Sequence, residues 1–369
     1  MPHRVLLSSG GTGGHIFPAL ALAEELRRRS PEVDILFLGG RYGPEGRLAA
    51  QAGLEFSGLP ARGFIGRGFL KGAAAALLLL ASVWQALGRL RRFKPEVVVG
   101  FGGYAAAAGL LAARLLGIPS LVHEQNSIPG AVNCLLGRGA RRICLSFPET
   151  EKYFPQGKCV FTGNPVRGKI RSLGANPTST PRDKAENILV LGGSQGARAI
   201  NNAILEDLTD LLRLGTKLRI QCGQADFARM REESSAYPPE RVKIEAFIDD
   251  MYEAYSQADL VICRAGASTL AELAAAGLPA ILIPLPSAAH NHQMHNAEQV
   301  QKQGAARLLE QKDLQKGRIS RLATDLLQDR AALRAMSQAS LKLANPEAAG
   351  KLADETEKLL AEAKGGQSA

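Results

Sequence analysis

The chain has 369 residues, 46% of them hydrophobic, which suits two domains with cores of their own and excludes a disordered chain. Its net charge of +10 is lopsided: residues 1–163 hold 19 Lys/Arg against 10 Asp/Glu, and residues 164–369 hold 26 against 25. The N-terminal half alone therefore expects an anionic partner, and its cysteines and those of the second half (134, 144, 159, 222, 263) lack CxxC or paired spacing, which excludes a disulfide scaffold and fits free thiols in a reducing compartment.

His3 to Ser9 reads as the first strand, too short for a signal peptide. It runs into Gly10-Gly11-Thr12-Gly13-Gly14-His15, then a helix through Arg29 with Pro18 in its first turn. Such a loop lets the backbone approach a ligand closely. It is not a Walker A loop, because no Gly-Lys-Ser/Thr follows, and not GxGxxG, because the last glycine would fall at Ile16. Strand two, Val33 to Leu38, ends in Gly39-Gly40 without the acidic residue a dinucleotide's ribose needs, which argues against NAD.

Residues 56–95 contain seven Lys/Arg (62, 67, 71, 89, 91, 92, 94) and no acid. Inside them Gly72 to Gly88 is an uncharged run, at the lower edge of transmembrane length and only weakly apolar. It reads as a helix with part of its surface in the core. Phe64, Ile65, Phe69, Leu70 and Trp84 are candidates to touch lipid, ringed by cations, on an anionic membrane surface that the chain meets without spanning. An ordinary buried helix with solvated flanks is the structural alternative.

Strand Glu96 to Val99 leads to a second glycine loop, Gly100-Phe101-Gly102-Gly103-Tyr104. Strand Ser120 to His123 leads to Glu124-Gln125-Asn126-Ser127, polar side chains at a strand's C-terminal end, where open α/β sheets bind ligands. Their alternative role is to cap the helix from Ala131. Val160 to Gly163 closes this half, Asn164-Pro165-Val166-Arg167 leads out of it, and residues 171–186 read as an exposed connection.

The second half repeats the grammar. Strand Asn187 to Leu191 enters Gly192-Gly193-Ser194-Gln195-Gly196-Ala197-Arg198 and a helix from about Ala199, a helix N-terminus suited to phosphate. Strands Lys217 to Cys222 and Val242 to Glu245 follow, the latter leading to Phe247-Ile248-Asp249-Asp250-Met251. Then comes the most informative stretch, Asp259 to Pro286. Strand Leu260 to Cys263 meets the turn 264–268, a helix spans Thr269 to Ala276, Gly277 stops it, and a second strand begins at Ala280. Glu272, in the helix's first turn, adds negative charge beside an anion site, so it suits the two hydroxyls of a ribose; supporting the helix N-terminus is its other reading. The segment 290–296 reads as a polar loop. Its histidines 290, 292 and 295 match no common zinc spacing. Helices fill the rest to about residue 363, and the tail GGQSA reads as disordered. Two α/β halves with glycine loops at their strand ends imply two Rossmann-like domains facing each other across a cleft.

GGTGGH at 10–15, FGGY at 101–104, HEQN at 123–126, GNPVR at 163–167, GGSQGAR at 192–198, FIDDM at 247–251 and CRAGASTLAELAAAGLP at 263–279 follow one another in order. Together they resemble the MurG family, the UDP-N-acetylglucosamine transferases of peptidoglycan synthesis, over about residues 4 to 345. The resemblance implies a GT-B fold and an inverting transfer of GlcNAc from UDP-GlcNAc to the C4 hydroxyl of MurNAc in lipid I, giving lipid II. Donor contacts carried over by matching positions are Thr12, Gly13, Gly14, Asn126, Arg167, Ser194, Ile248, Ala267, Ser268, Thr269, Leu270, Ala271, Glu272 and Gln293. In that assignment Ile248 offers its backbone to uracil, Glu272 takes the ribose hydroxyls, Ser194 and 267–269 hold the diphosphate, and Gln293 binds GlcNAc hydroxyls. His15 is the candidate base, and Tyr104 and Glu124 are candidates for acceptor contact. No cofactor and no metal are implied. Partners are the donor, lipid I and an anionic membrane surface at residues 62–94, with other cell-wall enzymes as further candidates, and the place is the cytoplasmic face of the bacterial plasma membrane. The expected divisions are an acceptor-binding, membrane-facing domain at 1–163, a UDP-GlcNAc domain at 164–340, and a C-terminal helix in 341–369 packing back on the first.

Three other readings compete. A non-hydrolysing UDP-GlcNAc 2-epimerase shares the two-domain plan, and so does a glycosyltransferase acting on a small aglycone. Neither needs the acid-free block 56–95. A non-catalytic lipid-headgroup binding protein explains that block but not a nucleotide site in the other half. Nucleic acid is excluded as a partner, because the basic block has few stacking aromatics and no known motif.

Overall fold

In a computed structural model, the structure describes residues 2–61, 69–175, 186–193, 195–213, 215–288 and 291–365. The chain forms two compact units, Met1–Arg167 with Pro346–Ala369, and Gly168–Asn345.

The first unit is built on a parallel sheet of seven strands, β1 (Arg4–Ser8), β2 (Asp34–Gly40), β3 (Glu55–Leu59), β4 (Val97–Gly100), β5 (Ser120–Glu124), β6 (Arg142–Leu145) and β7 (Cys159–Phe161). Their order is β3-β2-β1-β4-β5-β6-β7. The strands are apolar runs such as Val97-Val98-Val99, all fully buried, because helices cover both faces of a parallel sheet. These helices are α1 (Gly13–Arg29), α2 (Glu45–Gln51), α3 (Phe69–Phe93), α4 (Gly103–Leu115) and α5 (Ala131–Gly137). The strand order reverses between β1 and β4, so the two glycine loops that follow them meet at the switch point.

The second unit repeats the plan with β8 (Asn187–Leu191), β9 (Lys217–Gln221), β10 (Val242–Glu245), β11 (Leu260–Cys263), β12 (Ala280–Leu282) and β13 (Ala306–Leu308), in the order β10-β9-β8-β11-β12-β13. Its helices are α6 (Gly168–Ala175), α7 (Arg198–Arg213), α8 (Phe227–Glu233), α9 (Met251–Gln257), α10 (Ala267–Ala276), α11 (His292–Lys302), α12 (Arg318–Gln328) and α13 (Arg330–Lys342). Its switch point lies between β8 and β11, where residues 192–193 and 264–266 follow their strands. The segment 292–296, expected as a loop, is the first part of α11.

The last helix, α14 (Ala348–Gly365), belongs to the first unit. Its Leu352 and Leu359 are fully buried in the core that holds Ile16 and Leu22 of α1, and each such leucine stabilises by about 1.5–3 kcal/mol. Arg29, at the end of α1, clamps it, donating to Asp354 at 2.7 Å and Glu357 at 2.9 Å. Arg29 and Arg28 also hold Glu25, whose carboxyl falls to about 2, chiefly through the Arg28 hydrogen bond. The tail 366–369 lies outside the described residues.

Helix α3 covers the sheet with Ala86 and Leu90 but leaves Leu77, Leu80 and Trp84 at 67%, 66% and 76% exposure. Positions 77, 80 and 84 share one helical face, so the exposed side chains form a stripe. Phe64 and Ile65 lie outside the described residues, as do the side chains of Phe69 and Leu70. Among the described residues no helix is long and apolar enough to cross a membrane.

Candidate active site

In the first unit the loop after β1 is pressed against the loop after β4. Gly10 N–H donates to the Gly102 carbonyl at 3.2 Å, and a Cβ on Gly103 would run into the Gly10 carbonyl. Gly102 and Gly103 have φ of 107° and 82°, in the region that favours glycine. Helix α1 starts at Gly13, earlier than expected, so Pro18 lies inside it and not in its first turn. Thr12 is its N-cap residue but makes no side-chain cap bond, and no acid sits in the first turn. The N-terminus of α1 thus keeps its positive end toward the loop, as an anion site requires. Glu45 braces the loop by accepting from Gly11 N–H at 2.9 Å.

His15, in the first turn of α1, ends a chain of hydrogen bonds that fixes its tautomer. Gln125, buried after β5, donates through Nε2 to the Phe101 carbonyl at 2.9 Å and to the His123 carbonyl at 3.1 Å. Both partners only accept, so the amide nitrogen must face them and Oε1 must face outward. Oε1 lies 2.8 Å from His15 Nδ1, so Nδ1 carries a proton, and in the neutral ring Nε2 is the nitrogen that keeps the lone pair. His123 supports Gln125 from behind. Its Nε2 lies 3.0 Å from the Gly163 carbonyl and therefore carries the proton, leaving Nδ1 to accept from Gln125 at 3.1 Å. Burial holds His123 down to about 4, so it stays neutral and able to accept.

Glu124 is held by the residues that follow it. It is 1% exposed, and its carboxylate accepts four hydrogen bonds from its own loop: Asn126 N–H and Nδ2, Gly130 N–H, and Asn133 Nδ2 at 2.8 Å. A buried charge needs such donors, and through them Glu124 organises the loop and the start of α5. It holds Asn126, which is half-buried. Tyr104, by contrast, is 44% exposed at the start of α4. Arg167 lays its guanidinium 4.4 Å above the Phe17 ring of α1.

In the second unit α10 begins at Ala267, two residues before the expected Thr269. Gly266 precedes it in an extended conformation with no side-chain cap, and no acid occupies the first turn. Glu272 therefore sits in the second turn, where the helix dipole has little hold on it. Its carboxylate accepts from Tyr255 Oη at 2.9 Å and is 6% exposed. Ala267, Ser268 and Leu270 are buried, while Thr269 and Ala271 are partly exposed, so what this turn offers a ligand is chiefly backbone N–H. Ser194 lies outside the described residues. The loop around it is tight: Gly193 and Gly196 have φ of 80° and 78°, and a Cβ on Gly223 would come within 2.6 Å of Gly196 Cα.

Three side chains that the sequence reading gave no role hold these turns. Gln221, at the end of β9, donates to the Gly193 carbonyl at 3.0 Å and accepts from Ile248 N–H at 3.3 Å. Asn296 of α11 is fully buried and donates to the Ala265 carbonyl at 3.3 Å. Arg264 donates to the Ile283 and Pro284 carbonyls, both at 3.0 Å, and to Gln311 Oε1 at 2.7 Å; burial lowers its pKa. The available signal was a polar residue closing an apolar strand, as at Gln221. Gln293 accepts from Leu285 N–H at 3.0 Å, so its amide nitrogen points the other way. His290 lies outside the described residues, among which no group of three His, Cys, Asp or Glu could hold a metal.

Comparison with known proteins places this geometry. The model of the glycosyltransferase family 28 N-terminal domain matches residues 5–145, and that of the family 28 C-terminal domain matches residues 187–352. A protein of Nitratidesulfovibrio vulgaris (strain Miyazaki F), named UDP-N-acetylglucosamine--N-acetylmuramyl-(pentapeptide) pyrophosphoryl-undecaprenol N-acetylglucosamine transferase, is 50% identical over 373 residues, 97% of each chain. The crystal structure of MurG of Acinetobacter baumannii aligns with a TM-score of 0.72 at 35% identity, over 97% of this chain and 100% of that one. A UDP-N-acetylglucosamine 2-epimerase aligns with a TM-score of 0.64 at 16% identity, a likeness of fold alone. With both domain models matched in order and half of its residues shared with a relative of equal extent, the chain belongs to the MurG family of the family 28 glycosyltransferases.

Proposed function

We propose that the protein transfers GlcNAc from UDP-GlcNAc to the C4 hydroxyl of MurNAc in undecaprenyl-pyrophosphoryl-MurNAc-pentapeptide, with inversion, to give lipid II. The observation that carries the chemistry is the His15 tautomer: Nδ1–H donates to Gln125, and Nε2 is left as a proton acceptor. Nε2 takes the hydroxyl proton, the oxygen attacks C1 of GlcNAc, and the C1–O bond to the diphosphate breaks with its electron pair leaving on UDP. Gln125 Oε1 accepts from Nδ1–H before and after this transfer, so the ring need not turn. Tyr104 is assigned to the acceptor.

The nucleotide belongs to the second unit. Glu272 receives the ribose hydroxyls, and Tyr255 fixes the orientation of its carboxylate. Ile248 offers its carbonyl to the uracil N3–H, with Gln221 holding the segment in place. The uncapped N-terminus of α10, Ala267 to Thr269, together with Ser194, receives the diphosphate charge that grows as the bond breaks. The amide nitrogen of Gln293 donates to the sugar. Leu270 and Ala271 support the turn. From the first unit the motif match assigns Thr12, Gly13, Gly14, Asn126 and Arg167 to the donor as well. The stripe Leu77, Leu80 and Trp84, with the basic end of α3 beyond it, rests on the anionic cytoplasmic face of the plasma membrane, where the lipid acceptor resides.

The test is transfer of labelled GlcNAc from UDP-GlcNAc to a lipid I analogue with a shortened lipid, with and without EDTA. Product in both arms is expected. A protein that binds UDP but forms no product would overturn the assigned acceptor.

A further inference from the structure

At the N-terminal ends of β1, β4, β5 and β6, the edge of the first sheet away from the glycine loops, lies a cavity of about 1100 Å³. Arg4, Arg91, Lys94, Arg114 and Arg141 line it. None of the five pairs with a carboxylate among the described residues. Two carboxylates also line it, and both have other donors. Glu96 accepts from His3 Nδ1 and Arg4 N–H, each at 3.1 Å, and Glu362 accepts from Arg142 at 3.2 Å.

Basic residues at helix C-termini ordinarily complement the dipole, and α3, α4, α5 and α14 all end near this cavity. Four such ends contribute about half a negative charge each. With Glu362 balanced by Arg142, the five cations less Glu96 outweigh the dipoles by about two charges. Dipole compensation therefore accounts for only part of the cluster. Lys94 adds a second sign. It follows the last residue of α3 with φ 53°, the left-handed position where glycine ends a helix at least cost, yet the chain keeps a lysine there.

We propose that this cavity binds a phosphate-bearing anion. Arginine forks suit phosphate oxygens, and the volume exceeds what one phosphate fills, so the ligand carries a diphosphate or a phosphate with an organic group. The site is distinct from the residues assigned to transfer, none of which lines it. A free phosphate compound and a phospholipid headgroup present the same chemistry, and the test separates them.

The full-length protein, saturated with UDP, is titrated with inorganic pyrophosphate at low salt by calorimetry. It is also sedimented with vesicles of phosphatidylglycerol or of phosphatidylcholine. The Arg4→Gln/Arg141→Gln double variant should lose about tenfold or more in affinity, while Lys217→Gln on the other unit changes nothing. Lys94→Gln/Arg114→Gln, both at exposed positions and outside α3, gives the same reading should the first pair fail to fold. Loss confined to pyrophosphate assigns a free phosphate ligand, and loss confined to phosphatidylglycerol vesicles assigns a headgroup. Absence of binding in both arms, or binding that neither double variant weakens, overturns the site.

Discussion

In the first unit the polar side chains at the strand ends form a chain, Gly163 to His123 to Gln125 to His15, that terminates on one imidazole nitrogen. In the second unit the corresponding side chains, Gln221, Asn296 and Arg264, bind backbone carbonyls and shape turns around a helix left uncapped. Each unit has its own parallel sheet, of seven and six strands, with its switch point between the unit's first strand and its fourth. One set of contacts holds a proton in a fixed place, and the other leaves the first N–H groups of a helix without a side-chain cap. The comparison teaches that fold fixes where a site forms, while hydrogen-bond direction fixes what it does.

The largest expected effect breaks the first half of this contrast. His15→Ala should lower kcat by about 10²–10⁴ with donor affinity nearly unchanged, since a base acts in the transition state. Steady-state kinetics with the lipid I analogue checks it, and near-normal turnover would remove His15 from the chemistry.

Next comes the support behind it. His123 is fully buried, with a pKa of about 4 against an ordinary value of 6.5, so the unfolded chain binds more protons between those values. Stability is then complete above pH 6.5 and falls as the pH drops toward 4, by up to about 3 kcal/mol from this residue. Urea unfolding at pH 7 and pH 4.5 reads the loss, and His123→Gln should flatten it. An equal loss in the variant would assign the slope to other groups.

On the second unit, Glu272→Ala should raise the donor KM by roughly tenfold to a hundredfold and leave kcat within a few-fold, because it removes hydrogen bonds to a charged group in both ground and transition states. An unchanged KM would sink the ribose role. The smallest effect belongs to the exposed stripe. Trp84→Ser should weaken sedimentation with phosphatidylglycerol vesicles several-fold without altering turnover on a water-soluble acceptor analogue.

Most of this plan was legible because apolar runs closed by glycine are strong local signals: Val97–Gly100 and Leu260–Cys263 carry their strands in their composition. What was not legible depends on contacts distant in sequence. The segment His292–Asn296 has weak helix formers, His and Asn, at three of its five positions and reads as a loop, yet Leu285 and Ala265 anchor Gln293 and Asn296 and it folds as α11. The bracing of Glu124 was not legible either, since no spacing reveals that Gly130 and Asn133 return to bond its carboxylate. The extended backbone at Gly266 starts α10 early and moves Glu272 out of the first turn, an offset of two residues that composition does not encode.

The most direct test of the account is the protonation state of His15 itself. Long-range ¹H–¹⁵N correlation spectra of the histidine side chains, assigned with His15→Ala and recorded at neutral pH, distinguish a protonated nitrogen from a bare one. For the neutral ring the structure predicts hydrogen on Nδ1 and a bare Nε2, and a Gln125→Ala variant that lets the two tautomers mix. A His15 with hydrogen on Nε2, or a tautomer unmoved by Gln125→Ala, would contradict it.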